Sequence, residues 1–317
     1  LCFTDVGKVY RLRVFEVPQA SRGAKGRPII NLLPLDANET VTAILPLTEF
    51  PENHYVFMAT ASGTVKRVEL AQFSNIRANG LRAIELNEED TLIGVAITDG
   101  NQQIMLFSNE GKAIRFAETD VRAMGRTAKG VRGMRVTLAA AVDSEDADLD
   151  NDESDDNDDS SDSNVLSRIV SLVVVPETGE VLCASANGYG KRTPVNDFPT
   201  KKRGGKGVIA IKTSERNGEL VGAVSIDETK ELMLISDGGT LVRTRAAEVA
   251  MTGRNAQGVR LIRLSDAETL VGVVSIDAVE VEDEDELELI EGVENPEAQT
   301  ATSEEVAVEP KDDTPEA

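Results

Sequence analysis

Short apolar runs separated by polar turns recur along most of the chain. An example is the run Leu92 to Ile97, which is followed by a polar turn and a second run, Ile104 to Ser108. The tight turn Asn109-Glu110-Gly111 then leads into a third run. Turns of the Asn-Gly, Asp-Gly and Gly-Gly type need positive φ angles and are typical of β-hairpins. The pattern predicts an all-β fold, in which the best candidates for short helical turns are near 70–73 and 246–249.

A unit built from two glycines and two arginines recurs five times. In each copy the first arginine lies four residues after the first glycine, and a second arginine and a second glycine close the unit. The two glycines are 19 residues apart in four copies and 17 in one, which indicates one supersecondary unit copied along the chain. The copies are Gly7/Arg11/Arg22/Gly26, Gly63/Arg67/Arg77/Gly80, Gly111/Arg115/Arg126/Gly130, Gly188/Arg192/Arg203/Gly207 and Gly239/Arg243/Arg254/Gly258.

Four short strands per unit, at a spacing near 50 residues, predict blades that are arranged radially. Residues 1–276 are then one β domain of five units and a last strand. The units are expected at about 1–35, 41–86, 92–138, 165–213 and 220–264, with a closing strand at 270–276.

The net charge of −23 is unevenly distributed along the chain. Twelve acidic residues lie between Asp143 and Asp162 without a lysine or arginine, and 17 acidic residues with one lysine lie in 277–317. The remaining chain has 32 basic and 27 acidic residues, so the repeat region is slightly basic. The composition predicts a disordered acidic insert at 143–164 and a disordered acidic tail at 277–317. Such segments commonly act as interaction or masking tails.

The sequence gives little support for catalysis. It has one histidine, His54, and it lacks a phosphate-binding loop, zinc-ligand spacing and a nucleophile elbow. We therefore expect no catalytic residue, metal site or cofactor in this chain. Cys2 and Cys183 lie in apolar runs, which predicts buried, reduced thiols in a cytoplasmic protein. No apolar stretch is long enough to span a membrane, so no membrane partner is expected.

The loop that closes each unit is rich in basic residues and glycine. Glycine lets the backbone approach phosphates closely, while arginine and lysine supply charge and hydrogen-bond donors. One basic loop presented five times indicates an extended polyanion, and the aromatic content of 3% favours double-stranded over single-stranded DNA. The predicted DNA-binding residues are Arg22, Lys25, Arg27, Arg77, Arg126, Lys129, Arg132, Lys201, Lys202, Arg203, Lys206 and Arg254.

A second basic set lies in the third strand of each unit. By strand alternation, the first arginine of a unit faces the same side as a residue that is usually apolar. These side chains therefore either bind DNA or tie neighbouring blades together, and the sequence leaves both roles open. The set comprises Arg11, Arg67, Arg115, Lys191, Arg192, Arg243 and Arg245.

Several of these segments are similar to the C-terminal domain of bacterial DNA gyrase A, part of a type IIA DNA topoisomerase. The similarity runs from Leu1 to about Ile276 and is close at Val56–Ala61, Val121–Gly125, Asn187–Thr193 and Gly239–Arg245. The resemblance implies a six-bladed β-pinwheel, a propeller-like disc with a basic rim that wraps DNA. Five of the six units are present, and the first blade is expected upstream of Leu1. The strand 270–276 would then complete the absent blade.

The resemblance also implies a function and partners. It implies a non-catalytic module that bends duplex DNA around its rim and directs negative supercoiling by an ATP-dependent topoisomerase (an isomerase). The partners would be double-stranded DNA, the N-terminal cleavage core of the same polypeptide, and gyrase B, in a heterotetramer that uses ATP and Mg through other regions. A bacterial, cytoplasmic and nucleoid-associated location is implied, with an acidic tail that modulates wrapping.

Two departures and two alternatives remain open. The heptad Lys201 to Gly207 keeps an Arg-Gly-Gly-Lys-Gly core but begins with lysine, whereas the hallmark gyrase-A box begins with glutamine and belongs to the first blade. The acidic insert is not a general feature of the family. The alternatives are the C-terminal domain of the corresponding chain of topoisomerase IV, which recognises DNA crossings, and a protein-interaction propeller.

Overall fold

The computed structural model has nineteen β-strands and short 3-10 turns among the residues that it describes. It describes residues 1–21, 24–137, 166–265 and 267–278. Arg22, the acidic insert and all but the first two residues of the acidic tail lie outside the described residues. The all-β prediction is confirmed, and the two predicted helical turns are 3-10 turns at Leu70–Phe73 and Ala246–Glu248.

The strands are numbered in chain order. They are β1 (Cys2–Thr4), β2 (Lys8–Tyr10), β3 (Val41–Ile44), β4 (Tyr55–Thr60), β5 (Thr64–Glu69), β6 (Leu81–Arg82), β7 (Leu92–Thr98), β8 (Gln103–Ser108), β9 (Lys112–Ala117), β10 (Val131–Arg132), β11 (Ile169–Val175), β12 (Glu180–Ser185), β13 (Tyr189–Pro194), β14 (Val208–Ile209), β15 (Leu220–Ile226), β16 (Lys230–Ser236), β17 (Leu241–Arg245), β18 (Val259–Arg260) and β19 (Leu270–Asp277). Further 3-10 turns are Val14–Glu16, Ile29–Asn31, Glu118–Asp120 and Val195–Asp197.

Neighbouring repeats exchange strands. The described residues form four four-stranded sheets, with the orders β3-β1-β2-β6, β10-β5-β4-β7, β11-β8-β9-β14 and β15-β12-β13-β18, and a fifth sheet with the order β17-β16-β19. The hairpin at the centre of each sheet comes from one repeat. Both flanking strands of a four-stranded sheet come from the next repeat along the chain, so a sequence repeat and a sheet are different units. All strand pairs are antiparallel.

The two edges of each sheet have different surroundings. The edge strands β3, β7, β11, β15 and β19 lie against one another in chain order, so they form the centre around which the sheets are arranged. We call them the hub strands. The opposite edge of each four-stranded sheet is a strand of only two residues, and these four strands, β6, β10, β14 and β18, are the rim strands. This arrangement is a β-propeller.

The hydrophobic core consists of layers between successive sheets. In β8, Ile104 and Leu106 pack toward the second sheet, while Met105 and Phe107 pack toward the fourth. Because both faces of β8 are buried, this strand is a continuous apolar run rather than an alternating one. Cys183 belongs to one of these layers and both cysteines are buried and free, as predicted.

The glycines of the repeat lie where the rim segment of one repeat crosses the hairpin of the preceding one. A methyl group on Gly111 would lie 2.2 Å from the carbonyl oxygen of Ile211, and one on Gly207 would lie 2.4 Å from that of Ala113. Both glycines also have positive φ angles. Gly63 with Gly130, and Gly188 with Gly258, make the same close approaches in the second and fourth sheets. The glycines of the motif therefore lie at the positions where successive repeats make close backbone contacts.

The last strand corrects one expectation. Residues 270–276 were expected to complete a blade that is absent from the chain, but β19 pairs with β16 along its length and is the hub strand of the fifth sheet. Its apolar residues continue the packing of β15, which explains this position. The strand also includes Asp277, which was assigned to the tail and whose carboxylate pairs with Lys230.

A glycine substitution tests whether strand exchange depends on this close approach. Gly111 and Gly239 are equivalent first glycines with φ angles of 80° and 84°, but nothing lies within 4 Å of a methyl group on Gly239. We expect Gly239→Ala to cost about 1 kcal/mol, for the positive φ alone. Gly111→Ala should cost about 3 kcal/mol, because a backbone clash is added. Urea unfolding followed by circular dichroism measures both, and equal losses would contradict the assignment.

Candidate nucleic-acid interface

The basic loops lie directly before the rim strands. We call residues 77–80, 126–130, 201–207 and 254–258 the rim loops; each ends at the second glycine of its repeat, and a rim strand follows at once. Topology thus places four of the five predicted basic loops at the outer edge of the propeller. Lys25 and Arg27 of the first repeat are exposed but precede the 3-10 turn Ile29–Asn31, and no described rim strand follows them.

Most of the predicted DNA-binding side chains are accessible. Arg126, Arg203 and Arg254 are partly buried. None of the ion pairs formed between described residues involves any member of the set. The exposed members are Lys25, Arg27, Arg77, Lys129, Arg132, Lys201, Lys202 and Lys206.

Successive rim loops are joined to one another through the backbone. In each case an amide after one rim strand donates to a carbonyl in the rim loop of the next repeat. The pairs are Glu85 N to Ala128 O at 3.3 Å, Arg135 N to Gly205 O at 2.9 Å, and Lys212 N to Ala256 O at 3.2 Å. These bonds connect the four rim loops in chain order. The basic side chains are therefore carried by one continuous track around the outer edge.

The second arginine of the repeat adds to these links. Arg203 Nη1 donates to the carbonyl of Arg132 at 2.8 Å, and Arg254 Nη1 donates to the carbonyl of Ile209 at 3.3 Å. Both acceptors are the last residue of the preceding rim strand. Since a guanidinium has five N–H donors, each arginine keeps donors for a further acceptor. These two predicted DNA-binding residues thus also hold neighbouring blades together.

Two buried lysines support the rim loops from beneath. Lys66 of β5 and Lys191 of β13 occupy equivalent positions, and both are fully buried. The amine of Lys66 donates to the carbonyl oxygens of Ala83, at 2.8 Å, and Arg126. The amine of Lys191 donates to the carbonyl oxygens of Gly253 and Arg254, both at 2.6 Å. The lysines therefore hold the backbone that carries the second arginine, whose side chain is partly buried.

Burial changes the acidity of both amines. Desolvation, together with the nearby Arg126 charge and against the opposing effect of Glu85, lowers the pKa of Lys66 to about 8. Desolvation also lowers the pKa of Lys191 to about 8, with smaller effects from Cys183, Arg254 and Asp197. Burial raises the pKa of the Cys183 thiol to about 12. Lys191, whose role the sequence left open, thus contacts carbonyl oxygens inside the protein.

The first arginine of the repeat contacts the next blade. Arg115 Nη1 donates to the carbonyl of Val195 at 3.1 Å, and Arg192 Nε donates to that of Val249 at 2.7 Å. Arg192 also pairs with Glu180 at 2.9 Å. The acceptors lie in or directly after the 3-10 turn of the following repeat. The guanidinium groups therefore lie between blades.

Arg67 follows the same rule with a carboxylate in place of a carbonyl. Its Nη1 lies 3.5 Å from Oε1 of the buried Glu118, and its guanidinium lies 4.5 Å from the centre of the Tyr55 ring. Burial raises the pKa of Glu118, an effect that the Arg67 charge opposes. Arg11 is exposed, and its Nη1 is 3.4 Å from the carbonyl of Ser74 in the next repeat.

Arg243 and Arg245 are the exposed members of the second set in the fifth sheet. Arg243 pairs with Glu231 of the neighbouring strand. Arg245 is the last residue of β17 and forms no ion pair with a described carboxylate.

Sequence reasoning missed several basic residues of the rim. Arg82 and Arg260 end rim strands at the position that Arg132 occupies in the second sheet. The signal was present, because the second glycine is followed two residues later by arginine at Gly80-Leu81-Arg82, Gly130-Val131-Arg132 and Gly258-Val259-Arg260. Lys66 was also missed, since nothing in its strand indicates that it is buried.

The sheets with exchanged strands define a β-propeller whose outer edge carries the accessible basic residues. A family model described as "DNA gyrase C-terminal domain, beta-propeller" matches residues 1–48, 54–99, 102–153, 179–227 and 230–277. The chain belongs to this family, as the sequence resemblance indicated. None of the helices in the described residues has the length and apolar character of a membrane span.

Two bacterial relatives are similar over most of this chain. The DNA gyrase A protein of Haemophilus influenzae is 52% identical over 293 residues, which cover 90% of this chain and 32% of the relative. The DNA gyrase A protein of Salmonella typhimurium is 47% identical over 292 residues, which cover 92% of this chain and 30% of the relative. The chain thus spans about a third of the length of the curated relatives it matches.

Two solved structures have a similar fold. The structure of a DNA gyrase A C-terminal domain matches with a TM-score of 0.68 and 26% identity, covering 86% of this chain and 80% of that chain. The C-terminal domain of a DNA topoisomerase IV matches with a TM-score of 0.71 and 22% identity, covering 87% of this chain and 78% of that chain. At this lower identity the second likeness concerns the fold alone.

The buried lysines give the stability a pH dependence with a definite sign. Each amine has a folded pKa of about 8 against an ordinary value of 10.5, so the folded protein binds fewer protons between these pH values. The free energy of unfolding should therefore rise with pH in this window, by roughly 1 to 3 kcal/mol for each lysine. We expect Lys66→Met to lose its share of this rise, as measured by urea unfolding at pH 7.5 and 10.

Because other groups also titrate in this range, the change in unfolding free energy between pH 7.5 and 10 is measured for each protein, and the variant's change is subtracted from that of the wild type. The exposed Lys129→Met is the matched control and should leave the slope of stability against pH unchanged. An identical slope in Lys66→Met and the wild type would show that the buried amine keeps its ordinary pKa.

Proposed function

We propose that this chain binds double-stranded DNA along its rim and wraps it, as the C-terminal module of a DNA gyrase A protein. The observation that carries the proposal is the track of rim loops, which are joined in chain order by backbone hydrogen bonds and carry basic side chains without described carboxylate partners. A duplex presents phosphates at regular spacing along a curved path, which matches a repeated basic loop on a curved edge.

Binding of this kind depends on charge and on bending. Exposed lysines and arginines contact the phosphates without reading base edges, so the sequence of the duplex matters through its deformability. Bending a few tens of base pairs costs several kcal/mol, which the phosphate contacts must offset. We expect about one or two phosphates to be met at each rim loop. The counterions released from them make the affinity fall steeply with salt.

The wider role follows from the family and is part of the proposal. The wrapped duplex is handed to the N-terminal cleavage core of the same polypeptide, so that the topoisomerase introduces supercoils of one sign. The core and gyrase B supply the catalytic tyrosine, the ATP site and Mg, and this chain itself contributes no catalytic residue, metal or cofactor. The location that fits this role is the bacterial cytoplasm, at the nucleoid.

Among the alternatives, gyrase is favoured over topoisomerase IV. The relatives at 47% and 52% identity are both DNA gyrase A proteins, whereas the topoisomerase IV domain is similar at 22% identity. A protein-interaction propeller would not require basic loops along one connected edge. In this proposal the segment Lys201 to Gly207 is one of the rim loops. It contacts phosphates through the same kind of basic residues that the gyrase-A box contains.

The salt dependence of duplex binding tests the rim loops directly. The slope of log K against log salt is negative for the wild type. We expect it to become less steep by about 2 to 3 in the triple variant Lys201→Gln, Lys202→Gln, Lys206→Gln, because up to three phosphate contacts are lost. Lys230→Gln removes a lysine that is paired with Asp277 outside the rim loops, and it should leave the slope unchanged. A flat salt response of the wild type would refute DNA binding by the rim.

A topological assay separates wrapping from simple binding. Relaxed circular DNA is incubated with the chain, treated with a nicking–closing topoisomerase and deproteinised. Wrapping constrains writhe, so the linking number should shift in proportion to the bound protein. An unchanged linking number at full occupancy would favour recognition of crossings, as in the topoisomerase IV alternative.

A further inference from the structure

A cleft on the rim of the fourth sheet collects three arginines around one tyrosine. Tyr189 begins β13, Arg260 ends the rim strand β18 and Arg263 follows it, while Arg216 comes from the loop between β14 and β15. Arg216 stands outside the glycine and arginine repeat of the sequence. The fold therefore brings together charges that lie 27 to 74 residues from Tyr189 along the chain.

Two of the guanidinium groups pack on the tyrosine ring. The central carbons of Arg216 and Arg260 lie 4.9 Å and 5.3 Å from the centre of the Tyr189 ring. Arg260 Nη2 also donates a hydrogen bond of 2.9 Å to the tyrosine hydroxyl. The hydroxyl oxygen thus acts as an acceptor, which leaves its own proton free for an acceptor outside the protein. The hydrogen bond from Arg260, together with the nearby Arg216, lowers the pKa of the phenol.

The loop that carries Arg216 is held in place before any ligand arrives. The side-chain amide of Asn187 donates to the carbonyls of Glu215 and Arg216, at 3.0 and 3.2 Å. The buried Asn217 donates to the carbonyls of Lys212 and Gln257, at 3.0 and 3.1 Å. These bonds fix the backbone at Arg216, so a ligand does not have to order the loop, and the entropic cost of binding is reduced.

At the equivalent position in the first sheet, nearby carboxylates balance the positive charge. There the partner of the rim arginine Arg82 is Lys8, in the register that Tyr189 and Arg260 share in the fourth sheet. Lys8 is paired with Asp36 and lies 3.8 Å from Glu39. In the fourth sheet, by contrast, none of the three arginines forms an ion pair with a described carboxylate.

We propose that this cleft is a phosphate-binding site that anchors DNA at the fourth sheet more tightly than the other rim positions do. The guanidinium groups of Arg216 and Arg260, which both pack on the Tyr189 ring, provide charge and forked donors, and Arg263 also lines the cleft. The tyrosine hydroxyl provides one further donor, and this set matches the oxygens of a phosphate. The inference rests on the proposed function, in which the phosphate belongs to the DNA backbone. The same chemistry would also accept inorganic phosphate.

The test compares equivalent rim arginines. Arg260→Gln and Arg132→Gln each remove the last side chain of a rim strand, but only the first lies in the cleft. We expect Arg260→Gln to weaken binding of a short duplex about tenfold and Arg132→Gln about twofold, at one salt concentration. Tyr189→Phe keeps the ring and should weaken binding about threefold. Thermal unfolding confirms that all three variants remain folded.

The outcomes separate this inference from the proposed function. If Arg260→Gln and Tyr189→Phe weaken binding no more than Arg132→Gln, the anchor is refuted while rim binding stands. If these variants and the triple lysine variant all bind as the wild type does, the proposed function itself fails.

A second arm identifies the source of the phosphate, with sodium phosphate replacing sodium chloride at equal ionic strength. Stronger competition against the wild type than against Arg260→Gln would show that the cleft also accepts inorganic phosphate. If phosphate competes equally against the wild type and Arg260→Gln, and Arg260→Gln still binds the duplex about tenfold more weakly, the ligand of the cleft is the DNA backbone.

Discussion

The close crossing of one repeat's rim segment over the hairpin of the preceding repeat is the contact on which the rest of the structure depends. At the third sheet, Gly111 and Gly207 bring two backbones together at distances that a side chain would prevent. This approach lets the rim strand β14 pair with β9, and the pairing places the loop 201–207 at the outer edge. Because successive crossings are equivalent, the basic loops follow one another around that edge.

The basic residues have two roles, structural where they are buried and ligand-binding where they are exposed. Lys66 and Lys191 are buried, and their amines donate hydrogen bonds to backbone carbonyls. Burial of a charged amine is unfavourable unless it is hydrogen-bonded in this way. Arg115 and Arg192 join blades in the same way through carbonyls. Lysines such as Lys201 and Lys202 stay in solvent, where their charge is available to a ligand. The buried cations support the backbone that presents the exposed ones.

The cleft at Tyr189 shows how a repeat can acquire a specialised position. The rim strand and the second glycine are those of the general pattern. The tyrosine occurs at its position in one repeat, and Arg216 lies in the loop that follows that repeat. The aromatic ring gives two guanidinium groups a common surface, which reduces the cost of holding like charges close together. A single strongly binding position on the track of rim loops would fix where a wrapped duplex begins.

The sequence by itself determined the fold class, the repeat and the family. Turn glycines such as Gly111 need positive φ, apolar runs such as Ile104 to Ser108 are typical of buried strands, and both are local properties that a single segment carries. The same reasoning placed most of the basic loops correctly at exposed positions, since a run such as Lys201 to Lys206 has too little apolar surface to be buried.

Only the tertiary structure decided which repeat each strand joins and which cations are buried. Pairing of the rim strands joins residues about 70 to 100 positions apart, as in Arg132 with Thr64 and Val208 with Ala113, and no local pattern encodes that choice. For the same reason, the sequence around Lys66 did not show that this lysine is buried, whereas Lys201 is exposed. Their roles differ because the next repeat covers one and leaves the other in water, and burial of a charge is a property of the folded surroundings rather than of the residue.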